Sequence, residues 1–388
     1  MPRTALALGC GEMGSIAIKD MAASGVFDTL DVADINLAAA QKVAKECGGR
    51  TRVVPHAVDV TDRGALVKLM KGHDVCVSAV GPFYRFALPV CEAAIEAKAN
   101  FVDICDDYDV AMKVLDLDAK AKKAGITLIT GMGGSPGITN LLAKYGASKL
   151  DRVDDIHIHC VQSAADPNGG PAVAYHVFHS MIGTVPTWHG GKIQEVKAFV
   201  SGKEVAEFPK PVGALEVFHI GHPEPLTLPK YVPGVKHVCM KLNLNPPMVK
   251  DMVVQLGNFG LGSSEPMEIR GTKIAPVDFV VAFLSKMGND PMLAAFPKES
   301  AIRVTVKGEK EGRPTTMAYS GVGRMNEGTG TPMSIAAQMV ATGKIAVKGA
   351  VPPEGAVEPG HIEFLIREMV KRRFTARETV ITEGTLGG

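Results

Sequence analysis

The chain has 388 residues, enough for two packed cores, and its 42 Lys plus Arg against 41 Asp plus Glu leave it almost neutral. So balanced a charge draws in neither nucleic acid nor an anionic membrane, and no unbroken run of about 18 apolar residues reads as a bilayer span. Seven cysteines without a CxxC spacing argue against a disulfide framework and a structural zinc motif, and no apolar leader precedes the first strand, so the expected setting is the cytoplasm and the expected partners are small molecules.

The apolar run Ala5-Leu6-Ala7-Leu8 predicts a first strand, which leads directly into Gly9-Cys10-Gly11-Glu12-Met13-Gly14. Each glycine meets a demand of a dinucleotide turn: Gly9 turns strand into helix, Gly11 lets backbone approach a pyrophosphate, and Gly14 lets the helix pack closely. The helix that follows, Ile16 to Ala23, turns the N–H groups of its first turn and its positive dipole end toward the phosphates. A second strand, Leu30 to Ala33, ends on Asp34. An acid there accepts hydrogen bonds from ribose hydroxyls and repels a 2′-phosphate, and Ile35 and Asn36 bring no cation, so NAD is expected over NADP. The same carboxylate would also serve as a helix cap.

Four more strands are predicted over 51–59, 74–80, 100–105 and 126–130, separated by helices over 37–47, 62–71 and 109–124 that each stop at a glycine. This alternation predicts an α/β, Rossmann-type, doubly wound parallel sheet covered on both faces. Past about residue 150 prolines and glycines multiply and apolar residues alternate through Val153, Ile156, Ile158 and Cys160. Eight of the eleven histidines fall between His157 and His237, which marks a second, sheet-containing domain over 141–330. Helical periodicity returns over Met333 to Thr342, with Thr331-Pro332 read as its cap, and over Glu363 to Arg373.

Ligands of an open parallel sheet lie outside the carboxyl ends of its strands, so the loops leaving them are the place to look. Asp59 and Val60 are expected at the adenine, while Val80, Gly81 and Pro82 bring backbone to the cofactor. Tyr84, Arg85, Asp106 and Asp107 then stand at the reacting end, beside the loop 131–137.

These loops also resemble a known family. The glycine fingerprint, the stretch from Ser78 through Val102-Asp103-Ile104, and Gly131-Met132-Gly133-Gly134-Ser135-Pro136-Gly137-Ile138-Thr139-Asn140 are similar to saccharopine-dehydrogenase-like oxidoreductases. Leu215-Glu216-Val217-Phe218-His219, Ala336-Ala337-Gln338-Met339-Val340, Pro352-Pro353-Glu354 and Pro359-Gly360 look most like the lysine 6-dehydrogenases of that family. The resemblance implies a first domain of residues 1–140 closed by the C-terminal helices of 331–388, with the second domain inserted between them as the substrate-binding and homodimer-forming part. It also implies NAD-dependent oxidation of the C–N bond of an amino acid or amine, lysine foremost, giving an imine. Lys241-Leu242-Asn243-Leu244-Asn245-Pro246-Pro247 stands where the lysine enzymes carry an Arg-Tyr-x-Gly-like stretch, which leaves the substrate open. The Gly81-Pro82-Phe83 turn is similar to the trans-acting enoyl reductases, so a reductase of that kind and a non-catalytic NAD(H) sensor are the alternatives.

Amine oxidation needs a neutral nitrogen, because an ammonium has no lone pair to stabilise the iminium, and hence a base. Asp106, with Tyr84 and His176, is the expected catalytic set, and Arg85, Asp107, His219 and His222 the expected substrate contacts in a pocket between the domains. Arg85 would grip a carboxylate through its fork. His157 and His159 share one strand face, but no third ligand keeps close spacing in sequence and no metal is expected.

Overall fold

A computed structural model describes residues 2–168, 170–287 and 291–384. The chain divides into two compact units, one running to Leu141 and resuming over Asn326–Arg373, the other running over Leu142–Met325 and resuming at Phe374.

The first unit opens with β1 (Thr4–Leu8), α1 (Glu12–Ala23), β2 (Thr29–Asp34), α2 (Leu37–Glu46), β3 (Arg52–Ala57) and α3 (Arg63–Met70). It continues through β4 (Val75–Ser78), α4 (Phe83–Ala97), β5 (Asn100–Asp103), α5 (Tyr108–Leu115), α6 (Asp118–Ala124), β6 (Thr127–Ile129) and α7 (Ile138–Ala147), which crosses into the second unit. That unit carries β7 (Arg152–Ser163), α8 (Gly170–Ser180), β8 (Thr184–His189), β9 (Lys192–Lys197), β10 (Glu204–Glu207), β11 (Ala214–His219), α9 (Glu224–Tyr231), β12 (His237–Asn245) and α10 (Pro247–Asn258). After β13 (Met267–Ile269), β14 (Thr272–Ile274), α11 (Pro276–Met287), β15 (Ser300–Lys310) and β16 (Arg313–Gly323), the chain returns to the first unit. There it forms α12 (Met325–Ala341), β17 (Gly349–Val351), α13 (Pro353–Ala356) and α14 (Pro359–Lys371), and it ends on β18 (Ala376–Thr382).

The first unit's sheet runs β17-β6-β5-β4-β1-β2-β3, and every neighbouring pair is parallel. Leu6, Leu8, Cys76, Phe101 and Leu128 lie fully inside it, as expected of strands covered on both faces. The strand order reverses between β1 and β4, which opens a crevice at their carboxyl ends. This is the Rossmann-type sheet that strand–helix alternation predicts. In the second unit β7 and β12 pair in parallel, the other strand pairs are antiparallel, and helices pack with the mixed sheet.

Three features depart from the sequence reading. The helix over 109–124 is two helices, because Leu117 turns into the core at the break. α12 starts at Met325, so Pro332 lies inside a helix whose packing compensates for the missing backbone donor. A Cβ on Gly330 would stand 2.4 Å from the Met13 carbonyl oxygen, which measures how closely α12 crosses α1. The tail beyond Arg373 falls in the second unit and not with the C-terminal helices, because β18 pairs with β16. No helix among the described residues is long and apolar enough to cross a membrane.

Candidate functional site

The three fingerprint glycines meet three different constraints. Gly9 takes φ +89°, donates its N–H to the Ala33 carbonyl at 2.8 Å, and would press any Cβ to 3.1 Å from the backbone of Ala79. Gly14 has no room at all: its Cβ would stand 1.9 Å from the Gly9 carbonyl oxygen. Gly11 faces open space and precedes α1, whose first turn has no side-chain cap; Glu12 is exposed there and Met13 half-buried. Uncapped N–H groups above a surface without a Cβ are what a pyrophosphate needs, so these residues fit a dinucleotide.

Asp34 ends β2 with both oxygens engaged: Oδ2 accepts the Cys10 N–H at 2.8 Å and Oδ1 the Asn36 N–H at 2.9 Å. It therefore braces the glycine turn, while the cap of α2 comes from Asn36, whose side chain accepts the Ala38 N–H. Asp59 lies exposed after β3, and hydrogen bonds from the Thr61 hydroxyl and backbone hold its carboxyl below the usual range. Val60 and Val80 pack against the core, and Gly81-Pro82 leads into α4.

Asp103, which the sequence offers only as one polar residue in a strand, organises the loops beyond. It is buried, and its Oδ1 accepts the N–H groups of Cys105 and Gly131 and the Thr130 hydroxyl. Burial raises its pKa against the pull of these donors. Asp107 is also wholly buried and accepts the Tyr84 N–H at 2.7 Å, which ties the loop after β5 to the first turn of α4. Asp106 beside it is only half-buried. Arg85 is exposed, with its guanidinium 5.4 Å from the centre of the Tyr84 ring. A second buried pair supports the glycine-rich loop: Asn140 accepts the Gly137 N–H and donates to Glu354 at 2.9 Å. A polar pair inside an apolar run was the available signal for it.

In the second unit the predicted histidines separate into two groups. His176 on α8 and His222 before α9 stand edge to face, 5.5 Å between ring centres, and both are buried. His222 Nδ1 lies 2.6 Å from Glu224 Oε2, and His176 Nδ1 lies 3.4 Å from the Ser180 hydroxyl. A buried carboxylate on Nδ1 fixes the tautomer and leaves Nε2 as the basic atom. His219 belongs elsewhere: its ring lies against Gly202 and Lys241, and burial followed by the Lys241 charge lowers its pKa to about 4.

Lys241 and Glu204 are joined by a short hydrogen bond, and the same Glu204 oxygen lies 3.0 Å from His159 Nε2. The His159 hydrogen bond, before that of Lys241, pulls the Glu204 carboxyl down to about 2. His157 Nδ1 lies 3.5 Å from Cys239 Sγ; burial first, then His159, lowers His157 to about 4, while burial pushes the Cys239 thiol up to about 12. Register explains the meeting, since β7 and β12 pair His157 with Cys239 and His159 with Lys241.

Residues 5–129 match the saccharopine dehydrogenase NADP binding domain and residues 133–374 the saccharopine dehydrogenase C-terminal domain. A carboxynorspermidine synthase of Vibrio cholerae is 25% identical over 335 residues, 79% of this chain and 78% of that protein. A carboxyaminopropylagmatine dehydrogenase of Synechocystis is 23% identical over 363 residues, 87% of this chain and 88% of that protein. The NADP-linked, L-glutamate-forming saccharopine dehydrogenase of Saccharomyces cerevisiae is 31% identical over 157 residues, 40% of this chain and 32% of that protein.

Proposed function

The chain belongs to the saccharopine dehydrogenase family, and on that premise we propose that it is a pyridine-nucleotide oxidoreductase acting on the C–N bond of an amine that bears a carboxylate. The observation that carries this reading is the glycine turn, where an uncapped helix start faces open space at Gly11 and a Cβ is barred at Gly14. The bound nicotinamide supplies or accepts the hydride. Gly9, Gly11, Gly14 and the first turn of α1 hold the pyrophosphate, and Asp59, Val60, Val80, Gly81 and Pro82 line the rest of the cofactor.

Asp34 favours NAD by its charge, although the matched domain is named for NADP. Asp34→Ser with an added arginine should move the preference toward NADP by about 1–3 kcal/mol, read by calorimetric titration with both cofactors.

His222, held by Glu224, takes the proton that must leave the nitrogen before the C–N bond is oxidised, with Asp106 as the competing base. Arg85 and Tyr84 serve the substrate, Arg85 as the cation for its carboxylate.

The names of the two long relatives, carboxynorspermidine and carboxyaminopropylagmatine, favour a carboxylated polyamine-like substrate over lysine itself. A panel of lysine, saccharopine and carboxylated polyamines with NAD and NADP, read as reduced-nucleotide absorbance, tests the assignment. Turnover should be highest on a carboxylated secondary amine. Activity confined to alkenyl or thioester substrates would overturn the reading, as would nucleotide binding without turnover on any amine.

A further inference from the structure

The polar cluster on the second unit's sheet is chemically out of place beside a nucleotide enzyme's needs. His157, His159, Glu204 and Cys239 each offer one ligand atom, and these four atoms lie within 4.8 Å of one another. Two histidines come from β7, the cysteine from β12, and the glutamate from β10, three places away from β7 in the order of strands. Glu204 nevertheless reaches His159, so the β10–β11 hairpin curls over this face of the sheet.

From this convergence we propose that the second unit binds one zinc-class divalent cation through His157, His159, Glu204 and Cys239. Two imidazoles, a carboxylate and a thiolate are the nitrogen, oxygen and sulfur donors that four-coordinate Zn²⁺ accepts. A tetrahedron around zinc has edges of roughly 3.3–3.8 Å, given metal–ligand bonds of about 2.0–2.3 Å. The contacts of 3.0 Å between His159 and Glu204 and 3.5 Å between His157 and Cys239 are already near those edges. Modest side-chain movement therefore closes the shell.

Lys241 is the apparent obstacle, since its ammonium already holds Glu204. A carboxylate has two oxygens, and it can give one to the cation and keep the other on the ammonium, which then orients the ligand from outside. Carboxylate and thiolate together neutralise the dication, and the thiol proton passes to solvent as the metal enters. The site lies on strands of a single unit and is independent of the nucleotide turn, so the proposal stands apart from the assigned reaction.

Full-length protein stripped with a chelator should take up about one Zn²⁺ per chain in equilibrium dialysis. Co²⁺ in its place should give the intense visible bands of a four-coordinate ion together with a sulfur-to-cobalt charge-transfer band. Cys239→Ser should abolish the charge-transfer band, and Glu204→Gln should weaken Zn²⁺ binding by more than the roughly 10–100-fold that loss of an outer partner of a ligand costs. Circular dichroism would confirm that each variant is folded, and the wild-type cobalt spectrum tests the proposal without any variant. No Zn²⁺ uptake by the stripped wild type, a weak six-coordinate cobalt spectrum, or uptake unchanged in a His157→Gln/Cys239→Ser double variant would overturn it.

Discussion

The first unit builds its binding surface from backbone, while the second builds polar clusters from side chains. At the glycine turn the working groups are the N–H groups of α1, and the specific residues are those whose side chains must be absent, Gly9 and Gly14. On the second unit's sheet, the polar cluster gathers groups from three strands, β7, β10 and β12, that meet only when the register is correct, as His159 meets Lys241. Backbone sites are therefore rigid and intolerant of added atoms. Side-chain sites tolerate atoms but not the loss of a charge or a lone pair.

Gly14→Ala should break the first kind of site hardest. Its Cβ clashes with the Gly9 carbonyl, so we expect a stability loss of about 3 kcal/mol and abolished nucleotide binding, read by thermal unfolding and calorimetry. Gly11→Ala meets no protein atom and should leave the fold untouched while weakening nucleotide binding. Equal behaviour of the two variants would end the distinction between a packing glycine and a ligand-approach glycine.

Glu224→Gln probes the second kind of site. Removing the charge on His222 Nδ1 should lower kcat roughly 100-fold with little change in nucleotide affinity, and should shift the pH profile of kcat. If Asp106→Asn lowers kcat instead and Glu224→Gln does not, the base belongs to the first unit.

Two carboxylates sharpen the contrast through pH. Burial raises the Asp103 pKa, so the folded chain keeps a proton that the unfolded chain has already lost, and stability falls as pH rises from about 3.9 toward the raised value. Asp103→Asn retains the oxygen that accepts three donors; it should remove that slope and change neutral-pH stability by about 1 kcal/mol, measured by urea unfolding at several pH values. In the second unit, the hydrogen bond from Lys149 lowers Glu378. Its contribution is present above about 4.3 and disappears as pH falls through the lowered value. Glu378 is partly exposed, so Glu378→Gln should produce the smallest effect, a slightly lower neutral stability and a correspondingly flatter acid limb.

The same contrast explains what the sequence made legible. The order of β1, glycine turn, α1 and Asp34 could be read because a backbone turn is specified by adjacent residues. Asp34 itself was only half legible, since its bond to the Cys10 N–H depends on the sheet placing β2 beside β1. β17 escaped because three residues carry no period, and the start of α12 escaped because packing of Gly330 on α1 outweighs the proline signal. His157 and His159 were visible as a pair, yet their companions Glu204 and Cys239 stand 45 and 82 residues away from His159 and His157. Only strand register brings them together.

The crossing of α12 over α1 also bears on how the protein is made. Gly330 meets Met13 and Ile16, Arg372 reaches Asp20 at 2.5 Å, and β17 completes the sheet beside β6, so the first unit is finished only by segments translated after most of the second. At about 5–20 residues per second, the ribosome needs on the order of ten seconds or more to synthesise the intervening segment. Throughout that interval the flank of α1 that carries Met13, Ile16 and Asp20 waits for its cover. The second unit, encoded before α12 except for its edge strand, has time to fold first.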